Sequence, residues 1–321
     1  MNYVLLIIGF ALLTISADWL INGASGLAKR LNISDLVIGL TIVAFGTSAP
    51  ELVVNIVAAT EGSSDIALTN ILGSNIINTL IILGISATIF PVACKQSPYR
   101  IEIPLSVLAG LAVLLLGTNF FGLLHLGESH NGVSRIDGIM LLSIFICFCS
   151  YTIYQGLHNR DKASTESYEA MPIWKAILLI VFGLAGLIIG GELIVSNAVT
   201  IAKSWGISEA VIGVTIVALG TSLPELATSA MAAYKKNTDL AIGNVIGSNI
   251  FNVFFVLGIS ATIRPLPSYE NLQIDAAMAA GSSLLLLLFI AISRKRNINR
   301  IEGIAMLTIY GIYLAWLLTT L

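Results

Sequence analysis

Two glutamates stand inside long apolar runs, in the hexapeptides Gly46-Thr47-Ser48-Ala49-Pro50-Glu51 and Gly220-Thr221-Ser222-Leu223-Pro224-Glu225. A carboxylate at the centre of a membrane helix costs roughly 2.5–3.5 kcal/mol even on the lenient insertion scale, so Glu51 and Glu225 need compensation. No Lys or Arg lies within these central runs to supply it. Each glutamate follows a proline, which lacks a backbone N–H and clashes with the carbonyl four residues back, here Gly46 or Gly220. Main-chain carbonyls are thereby loosened, which a membrane tolerates only beside protein, water or a cavity. Thr47 and Ser48 precede Glu51 by four and three positions and so share its helical face, as Thr221 and Ser222 share that of Glu225.

The next apolar run in each half adds Gly73-Ser74-Asn75 with Asn78, and Gly247-Ser248-Asn249 with Asn252. Asn70, Ser74 and Asn78 fall at steps of four, as do Asn244, Ser248 and Asn252, drawing a polar stripe on an otherwise apolar helix. Glu51, Glu225, Thr47, Ser48, Thr221, Ser222, Ser74, Ser248, Asn78 and Asn252 together present oxygen ligands and two formal negative charges. Hard cations take such ligands, calcium about six to eight of them. Two carboxylates neutralise one calcium ion, and several sodium ions satisfy the same oxygens, so the two cations would compete. Neither His nor Cys stands near enough in sequence to favour a softer metal.

The elements that position these residues are read as membrane spans. Of 321 residues 56% are hydrophobic and 11% charged, against about 25% charged in soluble domains. A span needs about 20 largely apolar residues. Ten candidates follow: 3–29, 34–59, 65–90, 101–119, 136–157, 173–203, 208–233, 239–263, 272–293 and 301–320. The N-terminal run lacks a basic leader and continues past Asp18, so it reads as a retained first span and not as a signal peptide. The sequences Ile38–Asn55 and Ile212–Ser229 match at an offset of 174, and so do Asp65–Pro91 and Asp239–Pro265 (212 − 38 = 239 − 65 = 174). The chain is thus expected to be an all-α polytopic membrane protein of ten transmembrane helices. They form two five-helix repeats, 1–157 and 173–321, joined by the polar connector 158–172. An odd number of helices per repeat inverts the second half. The sixteen Lys and Arg residues agree, thirteen falling on one face and three (Arg135, Lys203, Arg264) on the other. The basic face is cytoplasmic, which puts both termini outside, in a multi-pass plasma (inner) membrane protein.

Other polar residues have plainer expectations. Asn55 and its mate Ser229 read as packing or hydrogen-bonding residues, and Asp65 and Asp239 as helix caps. The repeated acids Asp18 and Glu192 read as helix-bridging groups. Cys94, Cys147 and Cys149 have neither metal-ligand nor disulfide spacing and read as inert thiols. His125, His130 and His158 fall in connectors. A net charge of −2 gives no case for nucleic acid. An intramembrane enzyme is disfavoured, because both halves carry the same constellation and catalysis needs distinct acid and base roles.

The motifs GTSAPE (46–51), GTSLPE (220–225), GSNIIN (73–78) and GSNIFN (247–252) resemble those of the cation/calcium antiporter superfamily, within it the prokaryotic sodium/calcium exchanger branch. The resemblance covers nearly the whole chain. It implies electrogenic exchange of sodium for calcium by alternating access, with the two long helices 3–29 and 173–203 sliding across a fixed core. It implies that Glu51 and Glu225 bind both ions, and that the hydroxyl positions Thr47, Ser48, Thr221, Ser222, Ser74 and Ser248 join them. The carbonyls of Ala44 and Ala218, and of the two threonines, are implied as further ligands. Sodium and calcium are the implied cargo and the lipid bilayer the surroundings, with no cofactor and no obligate protein partner. Asn252 is an aspartate in certain archaeal and potassium-dependent members, so its amide here argues against potassium co-transport. The proton/calcium branch differs at the glutamate motif, which disfavours proton coupling. A proton- or potassium-coupled antiporter using the same site is the alternative.

Overall fold

Long apolar runs without internal charge form helices, because a bilayer offers no water to satisfy an open backbone. The structure is a computed structural model that describes residues 1–94, 98–117, 132–158, 171–206, 215–216, 218–293 and 296–319. In chain order α1 spans Asn2–Leu31, and α2 runs Asp35–Ile38, a π-helical turn Gly39–Val43 and Ala44–Thr47. Next come α3, Ala49–Glu61, and α4, which runs Ser64–Ile77, a π-helical turn Asn78–Ile82 and Leu83–Ile89. Then follow α5, Ile103–Gly117, α6, Arg135–His158, and α7, Ile173–Ser204. After a short turn Ala218–Gly220 the chain forms α8, Leu223–Tyr234, and α9, which runs Thr238–Ile250, a π-helical turn Phe251–Leu257 and Gly258–Ile263. It closes with α10, Leu272–Ile292, and α11, Arg300–Thr319.

Among the described residues eight helices are long and apolar enough to cross a membrane, and the bent pair α2–α3 makes a ninth. The expected span 34–59 is broken at Ser48, with a bend of 47°, as the loosened backbone before Pro50 led one to expect. Pro50 is the physical cause, since its ring denies the helix an uninterrupted ladder. The expected span 208–233 lies partly outside the described residues. His158 is the last residue of α6, and not in a connector; His125 and His130 lie outside the described residues.

Two helices carry the centre. The apolar window of the α9 span is 94% buried and that of α4 72%, against 17% for α11. Large apolar side chains such as Trp174 (66% exposed) and Ile301 (80% exposed) point outward, as a surface solvated by lipid requires. The long α1 and α7 lie against each other through small residues. A Cβ on Gly23 would meet the Ala176 carbonyl at 2.8 Å, and one on Gly183 would meet Leu20 N at 2.8 Å. Small residues let membrane helices approach closely and gain dispersion contacts.

Two miniature antiparallel ladders staple the connectors. In the first, β1 (Val92–Ala93) pairs with β4 (Asn297–Ile298); in the second, β2 (Gly132–Val133) pairs with β3 (Leu266–Pro267). Cys94 follows β1, buried, and its N–H donates to the Arg296 carbonyl at 2.9 Å. Burial pushes its thiol up to about 12, with the Glu102 charge adding to the effect, so it stays protonated near neutrality.

The expected capping roles of Asp65 and Asp239 are corrected. Asn237 caps α9, its side chain accepting from Leu240 N at 3.1 Å. Ser63 holds the same position before α4. Both aspartates sit inside the first turn, where a carboxylate still complements the helix dipole.

Candidate cation site

The breaks at Ser48 and Ser222 decide where the acids stand. Glu51 and Glu225 occupy the first turns of α3 and α8, at the positive end of each helix dipole, and not mid-helix as the apolar runs suggested. Both are fully buried. Glu51 Oε1 accepts from Ser74 Oγ and from Ser222 Oγ, each at 3.4 Å. Glu225 Oε1 accepts from Ser248 Oγ at 3.4 Å and from Ser48 Oγ at 2.7 Å. Each carboxylate is therefore held by one serine of its own half and one of the other.

Glu51 Oε2, Glu225 Oε2, Asn78 Oδ1 and Asn252 Oδ1 are buried without a hydrogen bond among the described residues. The amide nitrogens of the two asparagines are engaged elsewhere: Asn78 Nδ2 donates to Asn249 Oδ1 and Asn252 Nδ2 to Asn75 Oδ1, both at 3.1 Å. A buried polar atom left unpaired costs about 1–3 kcal/mol. Here four such atoms, all oxygens and two of them on carboxylates, belong to the motif residues. Among the described residues no group of three or more His, Cys, Asp or Glu forms.

The other expected ligands divide. Thr221 Oγ1 is buried without a close hydrogen bond among the described residues and lies beside the Glu51 carboxylate. Thr47 Oγ1 instead donates to Asn244 Oδ1 at 3.1 Å. The Ala44 carbonyl accepts the Ser48 N–H at 3.0 Å, so it remains within the helix ladder. Ala218 opens the short turn that precedes Thr221. A cavity of about 520 Å³ borders the site, lined by Ala49, Pro50, Glu192, Ser196, Thr221 and Pro224 among others.

Two features were missed in the sequence. Asn244, noted only as part of a stripe, links both halves, since it also donates to Ser229 Oγ at 2.9 Å and to the Glu225 carbonyl at 3.4 Å. The π-helical turns at Asn78–Ile82 and Phe251–Leu257 begin at or beside Asn78 and Asn252. Such turns are common at functional sites, but apolar periodicity does not announce them. Asn55 is a hydrogen-bonding residue, donating to the Ala67 carbonyl at 3.0 Å and accepting from Asn70 at 2.6 Å.

The pattern of the sodium/calcium exchanger protein family matches residues 1–154 and 175–319. The chain belongs to that family. Its fold is that of the sodium-calcium exchanger NCX_Mj, with a TM-score of 0.83 at 33% identity over 98% of this chain and 97% of that one. Among exchanger relatives, the sodium/calcium exchanger MaX1 of Methanosarcina acetivorans is 33% identical over an alignment of 349 positions, gaps included, that covers 98% of this chain and 97% of that protein. The Ca(2+)/H(+) antiporter ChaA of Bacillus subtilis is 26% identical over 286 residues, 85% of this chain and 81% of that one. These relatives are transporters and not enzymes, and the chain is a multi-pass membrane protein of a cation/calcium antiporter family.

Proposed function

We propose that this chain exchanges sodium for calcium across the plasma (inner) membrane by alternating access, using one all-oxygen site between two inverted five-helix repeats. The observation that carries the reading is the set of buried, unpartnered oxygens on Glu51, Glu225, Asn78 and Asn252. Two carboxylates in a low-dielectric interior are costly when empty. A bound calcium ion, or sodium ions in its place, removes that cost, so reorientation is favoured when the site is loaded. Exclusive occupancy follows, because the same oxygens cannot complete both coordination shells. Thr47, Ser48, Thr221, Ser222, Ser74 and Ser248 complete the ligand set in this reading, with the Ala44 and Ala218 carbonyls joining as the helices move.

The repeats are 1–157 and 173–321, with 158–172 as a cytoplasmic connector. The exchanged serine–glutamate bonds support a two-fold relation between them, and the bias of basic residues supports the inversion. Both termini then face away from the cytoplasm. The identity of the coupling ion is tested by sodium-gradient-driven ⁴⁵Ca²⁺ uptake into vesicles containing a proton ionophore. Uptake that follows the sodium gradient and ignores the ionophore supports sodium coupling. Uptake abolished by the ionophore and indifferent to sodium supports the second reading, proton coupling, which the likeness to ChaA favours.

A further inference from the structure

Four asparagines, all nearly or fully buried, cross between α4 and α9: Asn75 and Asn78 on one helix, Asn249 and Asn252 on the other. A primary amide has an acceptor edge and a donor edge, and which edge faces a partner is settled by the surrounding network. The backbone carbonyl of Asn249 only accepts, and Asn75 Nδ2 donates to it at 3.2 Å. Asn75 must then turn its oxygen the other way, where it accepts from Asn252 Nδ2 at 3.1 Å. Asn252 has spent its donor edge, so its oxygen faces away from Asn75 as one of the four buried, unpartnered oxygens.

The same order of bonds runs in the other direction. Asn249 Nδ2 donates to Thr79 Oγ1 at 2.9 Å, Asn249 Oδ1 accepts from Asn78 Nδ2 at 3.1 Å, and Asn78 Oδ1 is left over. The anchor differs, because the position matching Thr79 is Val253. A backbone carbonyl fixes the first amide without ambiguity, whereas a hydroxyl both donates and accepts and fixes the second less firmly.

We propose that Asn75 and Asn249 are positioning residues that compel Asn252 and Asn78 to offer oxygen, not N–H, to the cation. The proposal rests on the cation-site reading above. A reversed amide would aim partial positive charge at the ion, so the orienting bond acts on affinity without touching the ion. Plain helix-to-helix adhesion, the ordinary role of buried asparagine in a membrane, would act on stability instead.

A double-mutant cycle separates the two. Equilibrium ⁴⁵Ca²⁺ binding to the purified full-length protein is compared for Asn75→Leu, Asn252→Ala and the double variant, with thermal midpoints measured alongside. Asn75→Leu is expected to weaken binding about tenfold, roughly 1.4 kcal/mol. The double variant is expected to bind no more weakly than Asn252→Ala alone, since an absent ligand needs no orienting. Unchanged binding in Asn75→Leu, or additive losses in the double variant, would overturn the proposal while leaving the site intact. Unchanged binding in Asn252→Ala would remove the site assignment itself. Should Asn75→Leu not fold, the matching cycle at Asn249 and Asn78 decides by the same outcomes.

Discussion

The centre of the molecule and its flank treat the duplication differently. In the centre, bonds come in exchanged pairs: Ser48 to Glu225 is answered by Ser222 to Glu51, and Asn78 to Asn249 by Asn252 to Asn75. On the flank, Asp18 of α1 pairs with Lys235 just beyond α8 at 2.5 Å. Asn22 ties the pair together, donating to Asp18 at 2.9 Å and accepting from Lys235 at 2.7 Å. Asn237 adds bonds to Ser25 Oγ at 3.0 Å and Asp35 Oδ2 at 2.8 Å. The positions matching Asp18, Asn22 and Lys235 are Glu192, Ser196 and Glu61. Two acids cannot repeat an ion pair, and on that side Glu192 and Ser196 line the cavity. The bonds at the centre thus keep both copies, and the ion pair on the flank has one.

The largest expected effect is at the centre. Glu51→Gln and Glu225→Gln are each expected to reduce sodium-driven ⁴⁵Ca²⁺ uptake to background while the purified proteins keep their size-exclusion profile. Near-normal uptake in either would break the equivalence of the two halves. Next come Asn78→Asp and Asn252→Asp, each adding a carboxylate to the unpartnered set. Both are expected to tighten calcium binding about tenfold, or roughly 1.4 kcal/mol; a gain in one alone would show that the centre is less symmetric than its bonds.

A smaller effect separates the serines. Ser48 reaches Glu225 at 2.7 Å and Ser222 reaches Glu51 at 3.4 Å. Ser48→Ala is therefore expected to raise the calcium KM roughly fivefold, about 1 kcal/mol, and Ser222→Ala less. The smallest effect belongs to the flank. Asp18 is 41% exposed and Lys235 20%, so Lys235→Met is expected to cost no more than about 1 kcal/mol of stability in a thermal scan. Its calcium KM should match the parent, because Lys235 touches none of the site oxygens.

Much of this was legible beforehand because duplication leaves a fixed offset. The offset of 174 paired Glu51 with Glu225 and Ser48 with Ser222 before any coordinates. Helical spacing then put hydroxyls on the faces of the acids. What stayed hidden depends on contacts between halves. Nothing local tells Asn75 that it will meet the Asn249 carbonyl, or Thr47 that its hydroxyl will turn to Asn244. Lys235 read as one cytoplasmic cation among many, while its partner Asp18 lies 217 positions away. The breaks at Ser48 and Ser222 were foreshadowed by Pro50 and Pro224, but their consequence was not: they move each glutamate from mid-helix to a helix N-terminus.

The central claim is that the oxygens of Glu51 and Glu225, with those of Asn78 and Asn252, receive the cation. Anomalous diffraction from crystals of this protein soaked in Sr²⁺ tests it most directly. The account predicts a strontium peak shared by both glutamate carboxylates, at about the 2.3–2.6 Å oxygen distances of calcium sites or slightly beyond, and lost when sodium is raised. Strontium bound at Glu192 in the cavity, with nothing between the two buried glutamates, would contradict it.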